Sequence, residues 1–232
     1  MALNDGVDIA GTVRERAARE LRDRILTGAL PACARLDLDA ITKEFATSRT
    51  PVREALLELS YDGLVRVAPR SGITVIGMSP EDVVDSFTIL GVLTGQAAAW
   101  AAQRVTDEGI QRLQALATDV EAHAGDGSIV DANWQFHREI HHAAHSRRLM
   151  AQIRQAVRVV PSNFFAMFPD HEHNALEEHQ ALVSALADRD ADKARDIAER
   201  HVLDAGRSLA EWLAHADSGS AGDIALPTTP NT

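Results

Sequence analysis

The stretch Ser48-Arg49-Thr50-Pro51-Val52-Arg53-Glu54-Ala55-Leu56 constrains the fold more than any other part of the chain. Thr50 is a good N-cap residue, and Pro51 then falls at the first helical position, where a missing N–H costs nothing. Pro51 also steers the residue before it out of the α region, as an N-cap requires. Val52, Leu56 and Leu59 recur at helical spacing and give this short helix one apolar face. Arg49 stands just before the helix and Arg53 in its first turn. Cations there oppose the helix dipole and add nothing to helix stability, so their placement points to a polyanionic partner. A recognition helix entering the major groove of DNA by its N-terminus has this arrangement.

The flanking residues complete a motif. Val13 to Leu26 is amphipathic, with Val13, Ala17, Leu21 and Ile25 on one face, and Thr27-Gly28 and Pro31 end it. Leu38 to Phe45 reads as a second short helix. After Gly63, the β-rich runs Leu64–Val67 and Ile73–Ile76 flank the turn-forming segment Ala68-Pro69-Arg70-Ser71-Gly72. Three helices and a hairpin predict a winged helix-turn-helix. The DNA-contacting set is then Ser48, Arg49, Thr50 and Arg53 at the helix mouth, with Arg70 and Gly72 on the wing. Glycine at the tip lets the backbone approach DNA closely.

These residues resemble the GntR family of bacterial transcription regulators over roughly residues 10–77. The resemblance is carried by Leu21-Arg22, Ile25-Leu26, Gly28, Leu30-Pro31, the Ser48–Leu56 stretch, Gly63-Leu64-Val65 and Gly72. Ala32-Cys33 follow Pro31 where the family usually has glycine after the proline, and Ile41-Thr42 stand where it carries Leu-Ala. The resemblance implies double-stranded operator DNA as a partner.

The chain's 232 residues suffice for two domains, each with its own core. The formal net charge of −11 argues against DNA binding only until it is divided. Residues 1–78 hold eleven Lys/Arg and eleven Asp/Glu, so the whole excess lies in the remainder. An acidic second domain would repel non-specific DNA contact. No apolar run approaches about 18 residues, so no membrane span is expected. The N-terminus lacks a signal-like apolar core and the single cysteine, Cys33, suits a reducing compartment, which together give a cytoplasmic expectation.

A boundary is expected at Gly77-Met78-Ser79-Pro80, where Ser79, Pro80, Glu81 and Asp82 form a helix start. Beyond it the pattern predicts helices at roughly 80–104, 107–124, 127–145, 148–167, 171–188 and 190–215, with break signals at Gly125-Asp126-Gly127, Pro161, Pro169-Asp170 and Asp188-Arg189-Asp190. The expectation is a mainly α protein: a winged helix-turn-helix at 10–77, an all-α antiparallel bundle at 80–216, and a disordered Gly/Ser/Pro/Thr-rich tail at 217–232.

All ten histidines fall in the second domain. Asn133 and His137 are four residues apart and project from one helix face, while His179 and His201 sit on consecutive helices and can face each other across the bundle. Three imidazoles and an oxygen donor suit a divalent cation such as Zn²⁺, Ni²⁺ or Mn²⁺. His141 follows His137 by one turn and is an alternative ligand, His142 points elsewhere, and His171 and His173 read as surface residues.

Residues 80–215 resemble the all-helical FCD ligand-binding domain of the FadR subfamily of GntR regulators. Metal-binding members carry a carboxylate four residues before the histidine of a Phe-His pair, then two histidines on the last two helices, which correspond here to Asn133, His137, His179 and His201. Asn133 stands where Asp is commonest, and Leu90 where the family often has arginine. The resemblance implies a homodimer reading an inverted repeat, a repressor mode of action, and a small effector, an organic acid, in the same cavity as the metal ligands. A metal-dependent hydrolase with a DNA-binding head is the alternative from another class. No nucleophile or general base stands beside a histidine in a recognisable motif, so no catalytic residue is assigned and the chain is not read as an enzyme. A metal that is purely structural, or is itself the signal, is the other alternative.

Overall fold

In this computed structural model the described residues are 11–68, 72–124 and 128–217. The chain divides into two compact units, Met1–Met78 and Ser79–Thr232.

In the first unit, helix α1 spans Val13–Leu26, α2 Leu38–Glu44 and α3 Arg49–Tyr61; strands β1, β2 and β3 span Arg35–Leu36, Val65–Ala68 and Gly72–Val75. A capping box starts α1: the Thr12 side chain accepts from the Glu15 N–H and the Glu15 carboxylate accepts from the Thr12 N–H. Asp37 caps α2 by accepting from the N–H groups of Asp39 and Ala40. The apolar faces of α1 and α3 meet in a core that includes Leu21, Ile25, Val52, Leu56 and Leu59, closed by Ile41, Val65 and Val75. Burying each such side chain favours folding by about 1.5–3 kcal/mol. Arg22, buried on α1, reaches Glu58 and Asp62 of α3 at 3.1 and 2.8 Å and ties the two helices together.

Two details depart from the sequence reading. The N-cap of α3 is Ser48, not Thr50, so Thr50 lies inside the first turn and Pro51 is the third helical residue. A capping side chain bonds the N–H of the second or third helical residue, and Pro51 has no N–H to offer, which fits the absence of a side-chain cap bond at Ser48. The sheet also has three strands, in order β1-β3-β2 and antiparallel throughout. The two-residue β1, pairing Arg35 with Thr74 and Leu36 with Ile73, is too short to leave a sequence pattern. In the wing, Val65 pairs with Val75 and Ala68 with Gly72. Arg70 lies outside the described residues.

The second unit holds α4 (Pro80–Arg104), α5 (Asp107–Ala122), α6 (Ile129–Ala143), α7 (Arg147–Ala156), α8 (Phe164–Met167), α9 (Pro169–Ala187) and α10 (Ala191–Asp217). Ser79 and Asp82 form a capping box on α4, with Pro80 at its start. The expected helix 148–167 is broken: α7 ends at Ala156, a 3-10 turn covers Val157–Val159, and Val160 is extended before Pro161. Proline disfavours a helical residue before it and cannot donate to the preceding turn.

Helices α4 and α10 run antiparallel along each other. Gly91 lies against Glu199 and Leu203, and Gly206 lies so close to Phe87 that an added Cβ would sit 2.5 Å from its Cβ. By length and composition alone α4 is apolar enough to cross a membrane, and half of its apolar window is buried inside the protein. Its buried Ala97, Ala98, Ala101 and Ala102 mark the core helix of the bundle. Phe136, Leu113, Leu182 and Leu186 fill the same core. The tail after Asp217, like the side chains of His171 and His173, lies outside the described residues.

Candidate functional site

Two sets of residues carry chemistry, one in each unit. In the first unit, Ser48, Arg49, Thr50 and Arg53 are all exposed at the start of α3, and Gly72 is exposed at the start of β3 with φ +87°. That backbone conformation favours glycine over any other residue. The two arginines differ in a way the sequence does not reveal. Arg49 forks onto Asp39 of α2, with Nε to Oδ1 at 2.7 Å and Nη2 to Oδ2 at 2.8 Å. Both side chains are exposed, so this pair is weak, on the order of 0–1 kcal/mol. Arg53 is exposed and has no ion pair or hydrogen bond among the described residues.

In the second unit, His137 of α6, His179 of α9 and His201 of α10 converge. Their ring centroids are 5.0, 5.0 and 5.1 Å apart, and one nitrogen from each ring lies within 4.8 Å of the others. Asn133 lies one helical turn before His137, and its Oδ1 is buried without a hydrogen-bond partner. A buried carbonyl oxygen left in that state costs about 1–3 kcal/mol. Phe136 sits beside the cluster, its ring 4.3 Å from that of His179. Burial, and then the neighbouring histidines 179, 201 and 141, hold His137 well below the ordinary imidazole range, so the ring is neutral with a lone pair to offer.

His201 is oriented by Glu178, whose carboxylate accepts a hydrogen bond from His201 Nδ1 at 2.8 Å. Nε2 of His201 is then the ring nitrogen that would face a cation. The sequence reading found no such supporting carboxylate. A signal was present: Glu178 immediately precedes His179, and adjacent helical residues project about 100° apart, so one can support what the other joins.

His141 is buried beside this cluster, 6.4 Å from His137 between ring centroids. Burial first, then His142, lowers it to about 4. Asn133, His137, His141 and His201 border a cavity of about 80 Å³ whose other walls are largely apolar. Leu90 lines it, and no Lys or Arg does among the described residues.

The donor set fits a divalent cation: three imidazoles, a buried amide oxygen lacking a partner, and a carboxylate bracing one ring. An imidazole-rich set of this kind suits Zn²⁺ and Ni²⁺, and water ligands would extend it to Mn²⁺. A bound ion would supply positive charge at the polar face of the cavity.

A winged DNA-binding head followed by an all-helical domain defines a transcription regulator. A model of the bacterial regulatory proteins of the gntR family matches residues 13–75, and one of the FCD domain matches residues 85–204. The chain belongs to the gntR family of bacterial transcription regulators that carry an FCD domain. It is 28% identical to the HTH-type transcriptional regulator McbR of Escherichia coli K12 over 76% of this chain and 83% of that one. It is 24% identical to the HTH-type transcriptional repressor GlaR of the same organism over 80% and 90%. The solved structure of E. coli McbR/YncC has the same fold, with a TM-score of 0.62 at 23% identity, covering 90% of this chain and 96% of that one. Family and relatives are regulators of transcription, not enzymes.

Proposed function

We propose that this protein is a cytoplasmic, homodimeric repressor of the FadR type, released from or locked onto an inverted-repeat operator by a small effector bound next to a metal ion. Arg53 and Arg49 enter the major groove, with Ser48 and Thr50 on the flanking phosphates and Arg70 and Gly72 of the wing alongside. One head contacts too few base pairs for strong specificity, and a two-fold dimer supplies the second half-site. Dimerisation and effector binding are assigned to the unit spanning 80–216. The repressor sign is supported by the name of GlaR.

The observation that carries the regulatory reading is the buried Oδ1 of Asn133, without a hydrogen-bond partner among the described residues, in the cavity that His137 and His201 of the three-imidazole cluster also line. A folded chain has little reason to bury that group there except to hold a ligand. Asn133, His137, His179 and His201 are the residues that would hold the ion. An effector that prefers one arrangement of the two heads shifts operator affinity by its differential affinity for the two states.

Elemental analysis of protein purified without chelator, followed by Zn²⁺, Ni²⁺ and Mn²⁺ titration of apoprotein, tests the site. One ion per chain is expected. No stoichiometric metal in either experiment overturns the metal reading. A metal that binds without changing any ligand's effect on operator affinity would make the ion structural.

A further inference from the structure

The cavity walls restrict which effectors can enter. Its amide and imidazole groups come from α6 and α10: Asn133, His137 and His141 follow one another at single-turn intervals along α6, and His201 joins them from α10, while Thr94 and Ser162 add neutral hydroxyls elsewhere in the lining. The remaining lining is dominated by apolar side chains, among them Phe87, Leu90, Val130, Val160 and Phe164. No Lys or Arg lines it among the described residues, so a charged group placed away from the α6 side meets no counter-charge there. Burying an unpaired carboxylate is costly enough that such ligands are rejected or bind protonated.

We infer that the effector class is a monoanionic acid with a compact apolar body, a short branched-chain or small aromatic monocarboxylate, and that dicarboxylates, tricarboxylates and sugar phosphates are excluded. This rests on the effector cavity proposed above. The carboxylate lies against the α6 side, where Asn133 and the histidines gather and where a bound cation would sit. The hydrocarbon body fills the space between Phe87, Leu90 and Phe164. The body is compact, as the modest cavity requires. The exclusion comes from the walls, which among the described residues hold no Lys or Arg to pair a second negative charge.

The test uses full-length protein and isothermal titration calorimetry, after Zn²⁺ uptake has been measured. Benzoate and 4-methylpentanoate are titrated against glutarate and succinate, which have similar size but two charges, and against benzamide, which keeps the ring without the charge. The two monocarboxylates should bind at least about tenfold more tightly than the dicarboxylates and than benzamide. Val160→Lys places a cation on the half-buried apolar wall away from the histidines. It should raise glutarate affinity about tenfold or more while Zn²⁺ uptake stays as in the wild type.

Glutarate or succinate binding as tightly as the monocarboxylates overturns the inference, as does failure of both monocarboxylates to bind. Unchanged glutarate affinity in a Val160→Lys protein that still takes up Zn²⁺ also counts against it. The two readings fail separately. Protein that takes up no Zn²⁺ refutes the metal site, yet selective binding of benzoate over glutarate by that protein upholds the inference drawn from the walls.

Discussion

Glu178 accepts a hydrogen bond from Nδ1 of His201 at 2.8 Å, joining α9 to α10 at the edge of the histidine cluster. The carboxylate fixes the tautomer of the ring, because an ionised carboxylate can only accept. It also raises the basicity of Nε2, the nitrogen left to meet a cation. A helix that contributes one imidazole through His179 therefore braces another imidazole through the residue before it.

Glu178→Gln should keep the fold and weaken metal binding by about 10–100-fold, because an amide orients the ring less firmly and adds no charge. His179→Ala or His201→Ala should abolish uptake and blunt the effector response while operator binding stays largely intact. Asn133→Asp should tighten metal binding, since a carboxylate brings charge to the ion. Competition titration of apoprotein with a chromophoric chelator measures all four variants. Unchanged affinity in both histidine variants would leave these residues as ordinary bundle histidines.

Arg53→Ala should cost about 1–3 kcal/mol of specific operator affinity, because Arg53 is the arginine at the mouth of α3 with no partner among the described residues. Salt-matched fluorescence-anisotropy titrations on operator and on random DNA measure this. Equal affinity for operator in variant and wild type rules out the proposed docking.

Asp39→Asn acts in the opposite direction. It removes the fork that holds Arg49 and one negative charge beside the DNA-facing helix. Stability should change by less than about 1 kcal/mol, as for an exposed pair. Binding to any DNA should tighten, and the salt dependence should steepen by roughly one counterion. A flat response in the same titrations would show that Arg49 does not touch phosphate or base.

His141 makes stability depend on pH. Its folded value of about 4 lies below the ordinary imidazole value of 6.5. Between these values the unfolded chain binds the proton and the folded chain does not, so stability rises with pH through this window. The contribution is complete above about pH 6.5 and is lost as pH falls toward 4, amounting to about 3 kcal/mol for a shift of this size. His137, lowered in the same direction, adds to the loss. Denaturant melts of apoprotein from pH 7.5 to 4.5 should show the decline, and His141→Asn should flatten it.

His145→Gly should stabilise the second unit by about 0.5–1 kcal/mol. His145 follows α6 with φ +50° and is exposed, so it bears the strain of a left-handed position with no side-chain partner among the described residues. Glycine at such a helix end removes the Cβ penalty, less its own entropy cost. Thermal melting is the measurement, and an unchanged or lowered midpoint would contradict it.

The order of elements was legible in the sequence because local signals set it. The apolar faces of α1 and α3, the Thr27-Gly28 and Pro31 stop, and Ser79, Pro80 and Asp82 act over a few residues, and they placed α1 and α4 at their observed ends. The pattern also placed Asn133, His137, His179 and His201 on helices that could face one another. Three further things depended on the packed structure. Thr50 yielded its capping role to Ser48, because the helix began one residue after Ser48 rather than at Pro51. Arg49 found Asp39 and His201 found Glu178, partners ten and twenty-three residues away that no helical period links. The apolar cavity beside the histidines arose from α4, α6, α10 and the Pro161 turn together. Sequence alone thus decided the helices and the residue types they present, because propensity and capping are local. Tertiary structure decided which of those residues meet, which charge is neutralised and which is left open, because distances across a bundle depend on how every helix packs.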